Sequence, residues 1–117
     1  MTHPNAQRIR ELNDQFRATG SGGDVNITQG ILHLPNFLML PVIERVRTFD
    51  AFTPDNDPHG EHDFGAFTIE GHKVFWKIDY YSLDAEGELD CDAGRSEDPS
   101  DPAKTARVLT IMLAEEY

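Results

Sequence analysis

A single cysteine, Cys91, stands in this chain of 117 residues. No internal disulfide can form, and zinc sites built on Cys-x-x-Cys pairs are excluded. Long hydrophobic runs are missing too. The longest apolar stretch, Phe37 to Ile43, is too short to span a bilayer and contains Pro41. The opening residues lack the basic-then-apolar pattern of a secretory leader, since Arg8 and Arg10 lead into polar sequence. Without an export signal or a disulfide, the expected home is the reducing cytoplasm.

Basic residues are scarce, 10 Lys and Arg against 21 Asp and Glu, which leaves a net charge of −11. The imbalance is local. Residues 1–47 carry four acids and five bases, whereas residues 48–117 carry seventeen acids and five bases. Between Asp84 and Asp101 eight acids (Asp84, Glu86, Glu88, Asp90, Asp92, Glu97, Asp98 and Asp101) accompany Arg95 alone. Such a field repels a nucleic-acid backbone, whose binding needs Lys and Arg to displace counterions. It attracts a basic partner and speeds the encounter. Simple solubility is the competing reading of the same charge.

What is present suffices for one core. Hydrophobic residues make up 38% of the chain, with seven Phe, three Tyr and one Trp. Two independent cores of half this length would each be too small, so residues 1–117 are read as one domain. Ile9, Leu12 and Phe16 share one face of a 3.6-residue period, predicting a helix from about Asn5 to Ala18, ended by Gly20-Ser21-Gly22-Gly23. Val25 and Ile27 alternate with polar neighbours, as in a short strand. Pro35 suggests a turn or 3₁₀ piece, and a second helix starts near Pro41 with Val42, Ile43, Val46 and Phe49 as its buried stripe.

After a polar loop at 51–63 comes a hairpin with strands near 64–70 and 73–81. Gly71-His72 reads as a type II′ turn, setting Ile69 opposite Val74 and Phe67 opposite Trp76. Leu83 to Ser100 reads as an acidic excursion with a short extended piece at Leu89. Asp101-Pro102 followed by Val108, Leu109, Met112 and Leu113 predicts a final helix. The expected fold is α+β: a small antiparallel sheet, the hairpin plus one strand, with about three helices in the order α-β-α-β-β-α.

The densest set of possible ligands is the loop Asp55-Asn56-Asp57-Pro58-His59-Gly60-Glu61-His62-Asp63. It begins like an EF-hand and then departs, with His59 at an oxygen position and Ala66 where a bidentate Glu belongs. His59, Glu61, His62 and Asp63 can instead be read as imidazole and carboxylate ligands of a transition metal such as zinc. The competing reading is a loop whose Asp and His side chains bond its own backbone. Nucleophile candidates are poor, since Asp90 and Asp92 flank Cys91 and disfavour its thiolate. The second face of the hairpin carries Phe64, Phe75 and Tyr81 beside Lys77 and Asp79, a recognition surface unless a helix covers it.

The segment Phe49-Asp50-Ala51-Phe52-Thr53-Pro54-Asp55-Asn56-Asp57-Pro58-His59-Gly60-Glu61-His62-Asp63-Phe64-Gly65 resembles the uncharacterised domain-of-unknown-function family 3768. The likeness continues in Phe75-Trp76-Lys77-Ile78-Asp79-Tyr80-Tyr81, from Asp98-Pro99 through Arg107–Ala114 to Tyr117, and in Arg8–Asp14. The resemblance implies an origin in alphaproteobacterial chromosomes, plasmids and phages, but no activity and no catalytic residues. It also makes Asp84–Asp92 a local elaboration.

Two functions are expected from these features. The first is a non-enzymatic acidic binding protein without a cofactor, engaging a basic protein partner and neither membrane nor nucleic acid directly. Its concrete form is inhibition of a host defence nuclease or CRISPR complex by nucleic-acid mimicry, through Asp84, Glu86, Glu88, Asp90, Asp92, Glu97 and Asp98 with Lys77, Asp79 and Tyr81. The second is a metal-assisted hydrolase or nuclease using His59, Glu61, His62 and Asp63.

Overall fold

The first helix forms where its apolar stripe requires it. In the computed structural model, which describes residues 4–90 and 94–117, α1 spans Ala6–Thr19. Gly20 closes it with φ 74°, a left-handed cap that glycine adopts without strain. Ile9 and Phe16 are buried, with Asn13 between them, while Asn5 sends its side-chain amide to Ser100 Oγ at 3.2 Å. Strand β1 is Asp24–Ile27, and a four-residue helix α2, Gln29–Leu32, follows it. A 3₁₀ turn at Asn36–Leu38 starts directly after Pro35. Helix α3, Met39–Arg47, holds Pro41 in its first turn, where the missing N–H costs no helical bond. Val42 and Val46 enter the core and Phe49 packs against it.

Strands β2 (Phe64–Ile69) and β3 (His72–Ser82) form the expected hairpin in a different register. Ile69 faces His72, Phe67 faces Val74 and Gly65 faces Trp76. The turn is Glu70-Gly71, with φ 48° and 80°, and positive φ at both positions is the type I′ requirement. The slip is two residues, so every side chain keeps its predicted face. Gly65 is needed opposite Trp76, because a Cβ there would collide with the indole nitrogen.

The predicted final helix is a strand. Thr105–Leu113 forms β4, antiparallel to β3 and parallel to β1, and the sheet runs β1-β4-β3-β2. A central strand buried on both faces reads as a continuous apolar run, which periodicity cannot distinguish from a buried helix. Thr105, Val108, Thr110 and Ile111 are β-branched and suit it. Asp101-Pro102, read as a helix start, makes a turn instead. Lys104 N–H donates to the Asp101 carbonyl (3.0 Å) and Ala103 N–H to its carboxylate (2.9 Å). Asp and Pro at the first two turn positions carry the same signature. The sheet is therefore mixed, and β1 joins it through β4 at the edge away from the hairpin.

One face of the sheet makes the core. Phe67, Val74, Trp76, Ile78, Tyr80, Leu109 and Ile111 pack there on Ile9, Phe16, Ile31, Val42 and Val46 from the helices. The opposite face bears Phe64, Phe75, Lys77, Asp79 and Tyr81, all partly buried, with Val108 and Met112 of β4 buried beside them. A 3₁₀ turn at Ala114–Glu116 brings Tyr117 edge-on to Phe64 and Phe75, with ring centres 6.2 and 5.7 Å away. Glu116 anchors that turn by accepting from Thr28 Oγ1 (2.7 Å), Leu113 N–H (2.8 Å) and Gly30 N–H (3.0 Å). These bonds to its charged form hold its carboxyl below the usual range.

Candidate functional site

Polar residues on the buried side of α1 organise the 49–63 segment. Asn13 is completely buried; its amide donates to the Glu61 carbonyl (2.9 Å) and to Tyr80 Oη (2.8 Å), and its oxygen accepts from Arg107 Nε (2.9 Å). Tyr80 in turn donates to Glu61 Oε1 at 2.9 Å. Arg107 donates also to the Pro99 carbonyl and lies over the Tyr80 ring, its guanidinium 5.3 Å from the ring centre. One turn further along α1, Arg17 donates to the Val46 carbonyl (2.8 Å), the Phe49 carbonyl (3.0 Å) and Asp14 Oδ1 (2.9 Å). Its guanidinium stacks over Trp76 at 4.5 Å. Burial lowers the pKa of both arginines below the ordinary value.

His62 sits at φ 55°, a left-handed conformation that histidine tolerates better than most residues. Its Nδ1 is 2.8 Å from Asp14 Oδ1, its Nε2 is 3.6 Å from Asp57 Oδ2, and its ring stacks on Phe52 with centres 3.7 Å apart. That stack divides two shallow clefts. One, of about 460 Å³, is lined by Arg10, Thr53 and His59 among others; the other, of about 450 Å³, by Asp14, Arg17 and Arg47 among others.

The four candidate metal ligands point apart. His59 is exposed, Glu61 turns inward to Tyr80, His62 lies between Asp14 and Asp57, and Asp63 is half-buried with its carbonyl accepting from Ile78 N–H at 2.8 Å. Among the described residues, no group of three or more His, Cys, Asp or Glu is placed to hold a metal ion. The loop's side chains do bond its backbone: Asn56 accepts from Thr53 N–H (2.9 Å) and donates to the Ala51 carbonyl (3.0 Å), and Asp57 accepts from His62 N–H (3.1 Å).

Burial, with the charges of Glu61 and Asp57 adding to it, raises the Asp63 pKa. A carboxyl raised in the fold stabilises it below the unfolded pKa and loses that contribution as pH rises through the folded value. Above the unfolded pKa, neutral pH included, the Asp63 carboxyl is therefore a liability to the fold. Asp63→Asn is expected to melt above wild type at pH 7, and the gap should close at pH values below the ordinary carboxylate range. A melting series across pH checks this, and an Asn variant less stable than wild type at pH 7 would contradict it.

The acidic tract is a separate feature. Asp84 Oδ1 accepts from the N–H groups of Glu86 and Glu88, both at 2.9 Å, and Leu83 bridges to Leu89, so the turn closes on itself. Glu86 and Glu88 remain exposed at its tip. Glu97 pairs with Lys104 at 3.6 Å, and Asp98 accepts from Ser100 N–H at 3.2 Å. Asp90 is partly buried and donates its N–H to the Ser82 carbonyl (3.0 Å), and Asp92 lies outside the described residues. On the sheet face away from the main core Lys77 Nζ pairs with Asp79 Oδ2 at 3.1 Å, and Tyr81 stands on the same face.

A family model described as "Protein of unknown function (DUF3768)" matches residues 27–116, most of the chain. The chain belongs to the DUF3768 family. No curated protein and no solved structure is significantly similar to it. The DUF3768 match includes Glu61, His62, Asp63, Tyr80 and Arg107, whereas α1, which supplies Asn13, Asp14 and Arg17, precedes it. Those three α1 residues were not singled out from the sequence. A signal was available: Asn13 and Arg17 follow Ile9 at four-residue steps, which puts polar groups on the apolar face of the helix. No helix among the described residues is long and apolar enough to cross a membrane.

Proposed function

We propose that this DUF3768 protein is a non-enzymatic acidic binding module that engages a basic protein surface. The observation that supports it best is the turn folded on Asp84. It spends one carboxylate on its own backbone and leaves Glu86 and Glu88 exposed at a fixed tip. Acids held in place lose less freedom on binding than acids on a loose chain. Glu97, also exposed, and the preponderance of acids after residue 48 extend the field around them. The finer form of the proposal is competition with nucleic acid for a basic groove, as in a defence nuclease or CRISPR complex, with carboxylates standing in for phosphates. No observation favours the metal-assisted hydrolase.

The test combines Glu86→Gln, Glu88→Gln and Glu97→Gln. Exposed acids contribute little to stability, so the triple variant should melt close to wild type. A partner captured from host lysate and then purified should bind it more weakly than wild type, through a slower on-rate and a flatter dependence on salt. Equal affinity and equal salt slope would leave the acidity a matter of solubility.

A further inference from the structure

Among the described residues, strand β2 is an edge strand, paired to β3 on one side only. In a hairpin with a two-residue turn, the pair next to the turn exchanges both backbone hydrogen bonds, and such pairs alternate. Ile69 and His72 are that pair, and Ile78 N–H donates to the Asp63 carbonyl at the far end, which fixes the alternation. Asp63, Gly65, Phe67 and Ile69 therefore direct their backbone groups to β3. Phe64, Ala66 and Thr68 direct theirs to the free edge. Ala66 and Thr68 are exposed.

Edges are usually protected by charge, proline, a bulge or a covering element. Strand β2, Phe-Gly-Ala-Phe-Thr-Ile, contains no charge and no proline, and its ladder with β3 is unbroken over six residues. Helix α3 meets β2 on the core face, where Arg45 lies over the Phe67 ring at 4.7 Å. On the other face, Phe64 continues into the aromatic group with Phe75 and Tyr117. An added strand would find three residues of backbone to pair with and an aromatic surface beside alternate side chains.

Charge selects the occupant. A second copy would bring another net −11 against the first. Along β2 itself Asp63 and Glu70 flank the strand, while Arg45 lies over Phe67 and Lys73 and Lys77 stand opposite Thr68 and Phe64, so the overall charge sets the sign. A positively charged segment meets attraction instead. We propose that the free edge of β2 takes up an extended, basic segment of a partner protein as a fifth strand, antiparallel or parallel to β2. Only the sign of the partner's charge rests on the acidic-module reading; the edge itself is independent of the Glu86 and Glu88 turn.

The test uses the full chain and amide hydrogen exchange at Phe64, Ala66 and Thr68. The probes are a short peptide alternating Thr and Val with Lys at both ends, and the same peptide with Glu at both ends. The Lys-ended peptide should slow exchange at these three amides by roughly tenfold or more at saturation, and the Glu-ended peptide should not. Ala66→Pro removes an N–H that points away from β3, so the hairpin ladder stays intact while the added strand is blocked. This variant should show no peptide-dependent protection. Should it lose its native fold, the comparison of the two peptides on wild type decides alone. The triple Glu→Gln variant should keep the protection, which separates failure of the edge from failure of the acidic turn. No protection by the Lys-ended peptide, or equal protection by both, overturns the proposal. Protection in the free chain that grows with protein concentration overturns it in favour of a second copy.

Discussion

Trp76→Ala is expected to destabilise the protein by about 3–5 kcal/mol, the range for removing a large buried aromatic. Trp76 has no exposed surface and sits at the centre of β3. Phe49 and Phe52 meet it edge-on at 5.5 and 6.1 Å, Arg17 covers its ring, and Gly65 leaves room for it on β2. Deletion would empty this space and expose the Arg17 guanidinium to a void, so neighbours on α1 and the 49–52 segment lose contacts together. A single domain commonly has only about 5–15 kcal/mol in total, so the loss is a large part of its stability. The indole nitrogen has no hydrogen-bond partner among the described residues. Trp76→Phe therefore removes volume without orphaning a polar group, and should cost clearly less than the alanine. Denaturant unfolding of the two variants beside wild type checks both statements. An alanine variant that melts within a degree or two of wild type would show that the 49–52 segment is not packed as described.

How far the sequence speaks is shown by particular elements. Alternation placed the hairpin and its two faces correctly, even though the turn lies one residue earlier than Gly71-His72 suggests. Faces depend on parity, and a two-residue slip preserves parity. The periodic stripes of α1 and α3 were legible because each helix buries one side only. β4 was not, since burial on both faces erases the period and Asp-Pro serves a helix start and a turn equally well. The acidic excursion was visible as composition, and its extended piece at Leu89 is the Leu83–Leu89 bridge. What composition cannot convey is that Asp84 and Asp98 are used to shape the backbone. Likewise the density of His and acid in the 55–63 loop was plain, but the directions of those side chains depend on Asn13, Asp14 and Tyr80, which are distant in sequence.

The buried network centred on Asn13 carries the second large effect. Asn13→Ala would leave Arg107 Nε and the Glu61 carbonyl without the partners they now have. Each orphaned buried group costs about 1–3 kcal/mol, and more where it is charged, so a loss of about 3–5 kcal/mol is expected. Tyr80→Phe removes the donor to Glu61 Oε1 and one acceptor for Asn13, a charge-assisted bond worth about 1.5–3 kcal/mol. Because both changes break the same Asn13–Tyr80 contact, the double variant should lose less than the sum of the singles. Tyr80 adds a signature in pH. Burial first, then the charges of Asp63 and Glu61, hold its hydroxyl well above the ordinary value of 10.0. The neutral form is thus favoured in the fold, so its contribution is complete below the unfolded pKa and declines as pH rises beyond it. Wild type should lose up to about 1.4 kcal/mol per pH unit above pH 10 from this group alone, a slope that Tyr80→Phe lacks. Urea unfolding at several pH values from neutral to alkaline measures the difference. Parallel stability curves for wild type and Tyr80→Phe above pH 10 would mean that water reaches the Tyr80 hydroxyl, and that the network is not sealed by Asn13.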